Sequence, residues 1–260
     1  MAAAVHPTAI VETTVLGARC TIREHATVDA GVSLADDVDV GPGARLLDSV
    51  TVHLGATIGA NATVRAGVVV GRGAVVEPGA SVDADVPAHA VVSGSPARIV
   101  GYADSLPALS ESEVIRAATI EVPTTTAVRG VTLQPLTTAS DLRGRLAALE
   151  FSELPFVPRR TFAVYGVPDE SVRGAHAHRE CSQLLVCVSG AVSSIADDGG
   201  TRQEFRLTSP AVGLLVPPMV WGMQYRFTPD AVLIALAELP YDPADYIRDY
   251  EEFLESVAAA

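Results

Sequence analysis

The first hundred residues carry an aliphatic side chain at every sixth position. From Ile10 to Val82, thirteen such positions hold only Ile, Leu or Val, and a mostly small or β-branched residue recurs four places later. An α-helix would repeat every 3.6 residues and a strand every 2. A period of six predicts short strands joined by tight corners and stacked as coils of about 18 residues. Turn-forming residues suit the corners: Gly17, Gly41, Gly59, Asn61 and Gly71.

The pattern changes beyond Tyr102. Residues 103–126 are polar and Ala-rich with two prolines, which predicts a linker with a short helix near 110–118. From about residue 127 onward, apolar runs of ordinary strand length alternate with turn signals, which predicts a β-sandwich or small barrel. Residues 242–257 are predicted to form a helix, with Asp242 as N-cap and Pro243 at the first helical position. The chain is therefore predicted to be all-β, with domains at 1–102 and 127–260.

Composition narrows the classes of function. Lysine is absent, so all 18 basic residues are arginines, and the net charge is −13. This excludes a Schiff-base lysine and a P-loop lysine, and it argues against a nucleic-acid partner. The amino-terminal residues lack the features of a signal peptide and no apolar run is long enough to span a membrane. Three cysteines, two of them six residues apart in one predicted strand, are not expected to pair, so we expect a cytoplasmic protein.

Aromatic residues also divide the chain. None of the six Phe, six Tyr and one Trp precedes Tyr102. A narrow coil that holds one aliphatic side chain per strand leaves no room for a ring. The aromatic boundary therefore supports the domain boundary.

Two histidines stand out in the second domain. His176 and His178 are two residues apart on a predicted strand, so both rings point to one face. Imidazole titrates near neutral pH, which suits proton transfer. A His-x-His pair also begins the metal site of many cupins, but Gln183 and Gly222 stand where two further ligands would be, so no metal is expected. Two structural histidines in a β-core remain an alternative.

The amino-terminal segment resembles the left-handed parallel β-helix of hexapeptide acyltransferases, through GATIGANATV (55–64) and VVSGSPARIVGY (91–102). This resemblance implies a trimer, acetyl-CoA bound between subunits and an amino-sugar acceptor. Such enzymes usually extrude a loop from the coils, and here the period runs without interruption. The domain is thus expected to be a shortened enzyme or an oligomerisation stalk. His25 and His53 are candidate bases for acetyl transfer, or else solvated side chains.

The carboxy-terminal segment resembles the cupin 3,4-ketoisomerases of sugar nucleotides, the WxcM-like or FdtA-like family, over residues 128–257. The motifs are VRGAHAHRE (172–180), LLVPPMVWGMQYRFTPDAVLIALA (214–237) and YDPADYIRDYEEF (241–253). The resemblance implies a cupin fold, no cofactor, His176 as the catalytic histidine and His178 as its partner. The residues expected to bind the TDP-linked keto sugar, with arginines on the diphosphate, are Arg143, Arg160, Arg173, Tyr165, Gln183, Trp221 and Met223.

Three functional hypotheses follow. The first is a ketoisomerase of TDP-4-keto-6-deoxyglucose joined to an inactive acetyltransferase-like domain. The second is a bifunctional enzyme that also acetylates a TDP-3-amino sugar from acetyl-CoA. The third is a non-catalytic sugar-nucleotide-binding scaffold, suggested by Gly222, where relatives often carry His or Arg. A β-helix trimer joined to cupin dimers would give a hexamer. The nucleotide base and the C4 configuration of the product are left open.

Overall fold

The computed structural model describes residues 2–117, 119, 122–168 and 171–259. The chain divides between Asp104 and Ser105 into two compact units. Across the described part of the chain, no helix is long and apolar enough to cross a membrane.

The first unit is a parallel β-helix of two-residue strands. Each strand pairs with the third strand before and after it, so that Thr57 of β10 lies between Asp39 and Val75, 18 residues away on either side. The predicted 18-residue coil is therefore confirmed. The short strands are β1 (Ala4–Val5), β2 (Ile10–Val11), β3 (Val15–Leu16), β4 (Thr21–Ile22), β5 (Thr27–Val28), β6 (Ser33–Leu34), β7 (Asp39–Val40), β8 (Arg45–Leu46), β9 (Thr51–Val52), β10 (Thr57–Ile58), β11 (Thr63–Val64), β12 (Val69–Val70), β13 (Val75–Val76) and β14 (Ser81–Val82).

The core of this unit consists of the two predicted rows of side chains. The small or β-branched residues four places after the aliphatics from Leu16 to Val76 are all buried: Cys20, Ala26, Val32, Val38, Ala44, Val50, Ala56, Ala62, Val68, Ala74 and Ala80. The sixfold row is buried from Ile22 onward. The prediction is wrong at its first position, because Val11 rather than Ile10 lies opposite Val28, and Ile10 is 60% exposed.

Corner glycines serve two different purposes. A Cβ atom on Gly59 would lie 2.5 Å from the backbone nitrogen of Pro78 in the next coil, so the corner requires a residue without a side chain. Gly55 has open space around it but adopts a φ of +68°, which other residues reach at a cost. After the coils, β15 (Ala90–Gly94) and β16 (Ala97–Tyr102) form an antiparallel hairpin.

The second unit consists of two facing six-stranded sheets. Their orders are β17-β26-β25-β28-β23-β30 and β18-β19-β27-β24-β29-β22, and one apolar core contains Phe205 from the first sheet and Leu214 from the second. This is the cupin-type architecture that the sequence predicts. The strands are β17 (Leu106–Leu109), β18 (Thr124–Thr125), β19 (Thr132–Pro135), β20 (Thr138–Asp141), β21 (Gly144–Ala147), β22 (Arg160–Tyr165), β23 (Arg173–His178), β24 (Gln183–Ser189), β25 (Val192–Asp197), β26 (Arg202–Leu207), β27 (Val212–Val216), β28 (Trp221–Tyr225), β29 (Val232–Ala237) and β30 (Tyr246–Ile247).

The segment predicted as a linker is largely ordered within the second unit. β17 pairs with β26, and helix α1 (Glu111–Ala117) buries Val114 and Ala117 in the apolar core. The polar composition misleads here because the helix is amphipathic and presents only a few apolar side chains to the sheet.

The carboxy-terminal segment is not one helix. Asp242 caps a 3₁₀ turn, Pro243–Asp245, and Asp249 caps a separate helix α2 (Tyr250–Ala258). The two residues of β30 lie between them and pair with β23. The sequence pattern does not reveal this interruption, because Tyr246 fits the spacing of an apolar helix face. In the structure Tyr246 belongs to a strand that pairs with β23, not to the helix.

Candidate active site

The two predicted histidines lie on one face of β23. Ala177, between them, points to the opposite face and packs with Trp221 and Phe253. A backbone irregularity precedes the pair, where Gly174 and Ala175 both adopt positive φ and the register against β28 shifts. After this bulge His176 lies opposite Gly222. The strand thus directs both imidazoles into the space between the two sheets, as the alternation of side chains predicts.

The histidine rings form a compact group with Tyr246. The centroids of the two imidazoles are 5.0 Å apart with the rings nearly perpendicular. The Tyr246 ring lies 4.8 Å from the His176 ring and 4.4 Å from the His178 ring, measured between centroids. Tyr246 reaches this position because β30 aligns it with His178 in the ladder.

Both ring nitrogens of His178 have partners. Its Nδ1 lies 2.6 Å from Oδ2 of Asp245, and the amide Nε2 of Gln183 lies 2.9 Å from its Nε2. The amide nitrogen donates, so Nε2 of His178 accepts and its Nδ1–H donates to the carboxylate. Asp245 is held in turn by the backbone N–H of Glu180, which donates to Oδ1 at 2.7 Å.

The surroundings keep the histidines neutral. Burial lowers the pKa of His176 to about 4, although a hydrogen bond to the Gly174 carbonyl partly opposes this. Burial also lowers the pKa of His178, against the opposing effect of Asp245. Burial disfavours the charged form of Asp245, but the hydrogen bonds from Glu180 N–H and His178 outweigh it and lower the carboxyl pKa. At neutral pH the group is a neutral imidazole pair beside a carboxylate.

His176 differs from His178 in having a ring nitrogen whose lone pair is available to accept a proton. The backbone of Gly174 opposes the lowering of the His176 pKa, and no other protein group is described on its ring nitrogens. A neutral imidazole that donates through one nitrogen carries a lone pair on the other. His176 can therefore accept a proton, whereas the lone pair of His178 is already engaged by Gln183.

Two arginines flank the aromatic edge of the group. Nη2 of Arg160 donates to the Tyr246 hydroxyl at 3.2 Å, and its guanidinium lies 4.8 Å from the Phe162 ring centroid. The Arg248 guanidinium lies 4.4 Å from the Tyr246 ring centroid. Within the described residues, the buried Nε of Arg160 has no hydrogen-bond partner. These cations favour an anionic ligand at this edge.

A small cavity that is open to solvent begins at the histidine pair. Polar side chains on its wall come from β23, β24 and β28, and apolar side chains complete the lining. Its residues are His176, His178, Gln183, Leu185, Val216, Pro217, Val220, Gly222 and Gln224. An apolar wall with a few convergent polar groups is typical of a small-molecule site.

Several predicted binding residues lie away from this cavity. Trp221 and Met223 are buried on the other face of β28, because the alternation along the strand gives the cavity to Gly222 and Gln224. Tyr165 is 71% exposed on the face of β22 opposite Val164, which packs against the core.

The predicted arginines are distributed unevenly. Arg160 adjoins the group through Tyr246. Arg173 is exposed and lies opposite Gln224 in the β23–β28 ladder. Arg143 lies in the exposed β20–β21 hairpin, 91% of its side chain is exposed, and its guanidinium pairs with Asp141 at 2.6 Å. Arg143 therefore lies apart from the cavity of its own chain, and its predicted role at the sugar stays a prediction.

The candidate bases of the first unit lie on its corners. His25 is exposed and adopts a φ of +59°, and its backbone N–H donates to the Thr8 hydroxyl. His53 is half-buried, with its backbone N–H bonded to the Val70 carbonyl. No described contact joins these two histidines to each other or to an acidic side chain.

Sequence reasoning missed four residues of the site: Asp245, Tyr246, Arg248 and Gln224. The first three were hidden by the assumption of one continuous helix from Asp242. A polar residue between Met223 and Tyr225 in an otherwise apolar strand was the available signal for Gln224.

One group of potential metal ligands adjoins the pair. His178, Cys181 and Asp245 bring ligand atoms within 4.8 Å of one another. However, His178 and Asp245 are hydrogen-bonded to each other, and burial raises the pKa of the Cys181 thiol.

Comparison with known families gives two matches. Residues 129–258 match the family described as WxcM-like, C-terminal (FdtA). Residues 54–84 match the hexapeptide repeat of succinyl-transferase. The first match spans the cavity and every residue of the histidine group.

Individual relatives agree with the first match. The chain is 43% identical over 119 residues to the TDP-4-oxo-6-deoxy-α-D-glucose-3,4-oxoisomerase of Aneurinibacillus thermoaerophilus, covering 45% of this chain and 86% of that protein. Two solved structures of the 3,4-ketoisomerase QdtA from Thermoanaerobacterium thermosaccharolyticum each give a TM-score of 0.50 and cover 51% of this chain and 96% of theirs. One, 31% identical, is a double mutant in complex with TDP. The other, 29% identical, is a single mutant in complex with TDP-4-keto-6-deoxyglucose.

The family match covers half of the chain, and the curated relative is aligned over most of its length. The chain belongs to the WxcM-like, C-terminal (FdtA) family and carries a hexapeptide-repeat β-helix ahead of that domain.

Proposed function

We propose that the second unit is a sugar-nucleotide 3,4-ketoisomerase that converts TDP-4-keto-6-deoxyglucose to a TDP-3-keto-6-deoxyhexose. The observation that carries this proposal is the pair of neutral imidazoles, His176 and His178, at the head of a cavity between the two sheets. The 43% identical relative named for this reaction supports the choice of substrate.

The reaction moves two protons, one from C3 to C4 and one from the C3 oxygen to the C4 oxygen, and needs no net oxidant. His176 takes the proton from C3 of the sugar, the electrons of that bond form a C3–C4 double bond, and the C4 carbonyl oxygen becomes an enediol oxygen. His176 then returns a proton to C4, the proton of the C3 hydroxyl passes to the C4 oxygen, and the C3 carbonyl forms. A neutral imidazole with a free lone pair suits the first step, and its imidazolium suits the second.

His178 holds the geometry in this proposal. Its Nδ1–H is bound by Asp245 and its Nε2 by Gln183, at 2.6 and 2.9 Å, so its ring is fixed in one tautomer and orientation. The fixed ring packs perpendicular to His176 at 5.0 Å and limits how that ring can turn. His178 is therefore a positioning residue for the base.

The arginines beside Tyr246 would hold the diphosphate. Arg160 and Arg248 both contact Tyr246, and the guanidinium matches phosphate oxygens in charge and geometry. Arg173 stands opposite Gln224, at the other end of the β23–β28 ladder. Arg143 has no part in the site within one chain.

Turnover of TDP-4-keto-6-deoxyglucose in deuterated buffer tests the proposal. We expect a 3-keto product by NMR and deuterium at the carbon that receives the proton. Unchanged substrate with no exchange at C3, under conditions in which TDP binding is measurable by calorimetry, would instead favour a non-catalytic sugar-nucleotide binder. The configuration at C4 can be read from the same spectra.

A second candidate function concerns the first unit. Its hexapeptide-repeat match favours an acyltransferase ancestry, and a bifunctional enzyme would acetylate the 3-amino sugar formed after transamination. Titration of acetyl-CoA into the full chain tests this. Binding followed by acetyl transfer would support two activities. The absence of any heat of binding at millimolar acetyl-CoA would instead favour a role of this unit in oligomer assembly alone. Light scattering of the same sample tests the proposed trimer or hexamer.

A further inference from the structure

The cavity holds one polar side chain that the proton-transfer scheme does not use. Gln224 lies on β28 and faces the same cavity as His176 and His178. It is half-buried, and its amide has no hydrogen-bond partner among the described residues. The other amide of the cavity, Gln183, is already bound to His178.

Two glycines make room for this amide. A Cβ atom on Gly174 would lie 2.8 Å from Oε1 of Gln224, closer than two such atoms can approach. A Cβ atom on Gly222 would lie 3.8 Å from Nε2 of Gln224 and 3.9 Å from the His176 carbonyl oxygen. These are ordinary van der Waals distances, so a Cβ atom alone would fit, and a longer side chain at position 222 would come between the amide of Gln224 and the strand segment that bears His176.

The chemistry of the amide fits the proposed reaction, on which this inference rests. In a 3,4-ketoisomerisation a carbonyl and a hydroxyl exchange places on adjacent carbons. A carbonyl needs a donor, whereas a hydroxyl needs an acceptor or a donor. A carboxamide carries two donors and one acceptor on neighbouring atoms, so one side chain can bind the sugar before and after the exchange.

From this placement we propose that Gln224 is a substrate-contact residue that binds the oxygen atoms on C3 and C4 of the sugar and thereby sets which hexose the cavity accepts. Gly222 serves this role by leaving the amide unobstructed. Gln224 complements His176, which moves the proton, and Gln183, which fixes His178.

The test compares Gln224→Leu with Gln134→Leu in the full chain. Gln134 is a buried glutamine on β19 whose amide bonds to Thr132, away from the cavity, so its replacement controls for loss of a buried amide. Kinetics with TDP-4-keto-6-deoxyglucose are combined with calorimetric affinities for TDP and TDP-glucose. TDP reports on the nucleotide alone, and TDP-glucose adds the sugar hydroxyls.

We expect Gln224→Leu to lower kcat about 100-fold, as loss of a hydrogen bond to a reacting oxygen does, and to abolish any gain in affinity of TDP-glucose over TDP. TDP affinity and the Gln134→Leu kinetics should stay within about twofold of the unaltered chain. Unchanged kcat and unchanged TDP-glucose affinity would overturn the role of Gln224, and so would an equal loss of affinity for TDP and TDP-glucose. If the unaltered chain shows no turnover, the proposed function fails, and the TDP-glucose comparison still decides whether Gln224 contacts the sugar.

Discussion

The two units of this chain bury different kinds of side chain. Every ladder between the short strands of the first unit joins residues 17 or 18 positions apart, and the described buried polar residues of that unit reduce to Thr13. In the second unit, β22 pairs with β29, which lies 67 to 77 positions later, and the described residues include six buried polar side chains: Gln134, His178, Ser193, Ser194, Asp197 and Gln203. A solenoid repeats one apolar packing arrangement from coil to coil, whereas the pair of sheets buries polar side chains from segments that lie far apart in the sequence.

The same contrast explains how each unit is stabilised. In the coils, stability is a sum of similar neighbour contacts between aliphatic layers. In the second unit a buried polar network contributes as well. Asp197 accepts hydrogen bonds from Arg202 and from the Tyr250 hydroxyl, both at 2.6 Å, which ties α2 to the sheet beside Trp221. Such networks are costly if any member is left unpaired.

Removal of the base should produce the largest effect and assign the chemistry to the second unit. We expect His176→Asn to lower kcat about 1,000-fold on TDP-4-keto-6-deoxyglucose, because asparagine keeps a similar volume but cannot accept the C3 proton. His53→Asn, a histidine of the first unit, is the matched control and should leave kcat unchanged. Equal losses in both variants would contradict the assignment of the ketoisomerase reaction to the second unit. TDP affinity, measured by calorimetry, should be retained in both.

Acid should destabilise the second unit through the same histidine. The pKa of His176 falls from 6.5 to about 4 on folding, so below pH 6.5 the unfolded chain binds a proton that the folded chain refuses. The free energy of unfolding should therefore decrease as the pH falls from about 6.5 to about 4, by about 3 kcal/mol from this group. Trp221, the single tryptophan, reports unfolding of its unit by fluorescence.

The variant His176→Asn removes that proton uptake. Its free energy of unfolding, from urea titrations at pH 7 and pH 5, should change less with pH than that of the unaltered chain. The remaining dependence would contain His178, whose pKa is also lowered by burial. Parallel pH profiles for the two proteins would mean that the His176 imidazole is solvated rather than buried.

The core of the first unit should not tolerate an aromatic ring, whereas the core of the second unit contains several. Ile58 is fully buried in the first unit, and we expect Ile58→Phe to reduce the free energy of unfolding of that unit by about 2 kcal/mol, because the neighbouring coils leave no space for the ring. Thr57→Phe, on the outward side of the same strand, is the control and should cost much less. Thermal unfolding followed by circular dichroism compares them. A neutral Ile58→Phe would remove the packing explanation for the aromatic-free segment.

The period of six was sufficient to predict the coils, because each strand repeats the environment of the last. The prediction of the inward-facing residues is wrong only in the first coil, where Val11 rather than Ile10 points inward. This strand has a neighbouring coil on one side only. In the second unit the alternation of β23 predicted the shared face of His176 and His178. It could not predict their partners, because Asp245 and Tyr246 reach the pair through a ladder between segments about 70 residues apart.

The alternation of side chains along a strand also explains the wrong prediction for Trp221 and Met223. The resemblance assigns Trp221 and Met223 to the sugar site, but it also places Gly222 there, where relatives often carry His or Arg. Successive side chains of a strand point to opposite faces, so these assignments conflict. In the structure Gly222 and Gln224 line the cavity, and Trp221 and Met223 are buried on the other face.

The smallest predicted effect concerns the contact between Asp245 and His178. It tests whether this contact affects catalysis by His176, which Asp245 does not touch. Asp245→Asn keeps the shape of the side chain and removes its charge, and we expect kcat to fall about 10- to 100-fold with TDP affinity unchanged. The carboxylate holds the Nδ1–H of His178 at 2.6 Å and raises the pKa of that ring. The pKa of His178 should therefore fall further in the variant, which NMR titration of the imidazole can measure.

Asp242→Asn is the appropriate control, because Asp242 lies three residues away and caps the same 3₁₀ turn through the backbone N–H of Ala244. Asparagine caps such a turn as well as aspartate does, so this variant should leave both kcat and the His178 titration unchanged. If Asp245→Asn lowers kcat without moving the His178 pKa, Asp245 acts by folding the turn rather than by orienting the imidazole. A lower pKa together with a lower kcat would show that a contact between segments about 70 residues apart in the sequence sets the chemistry of the second unit.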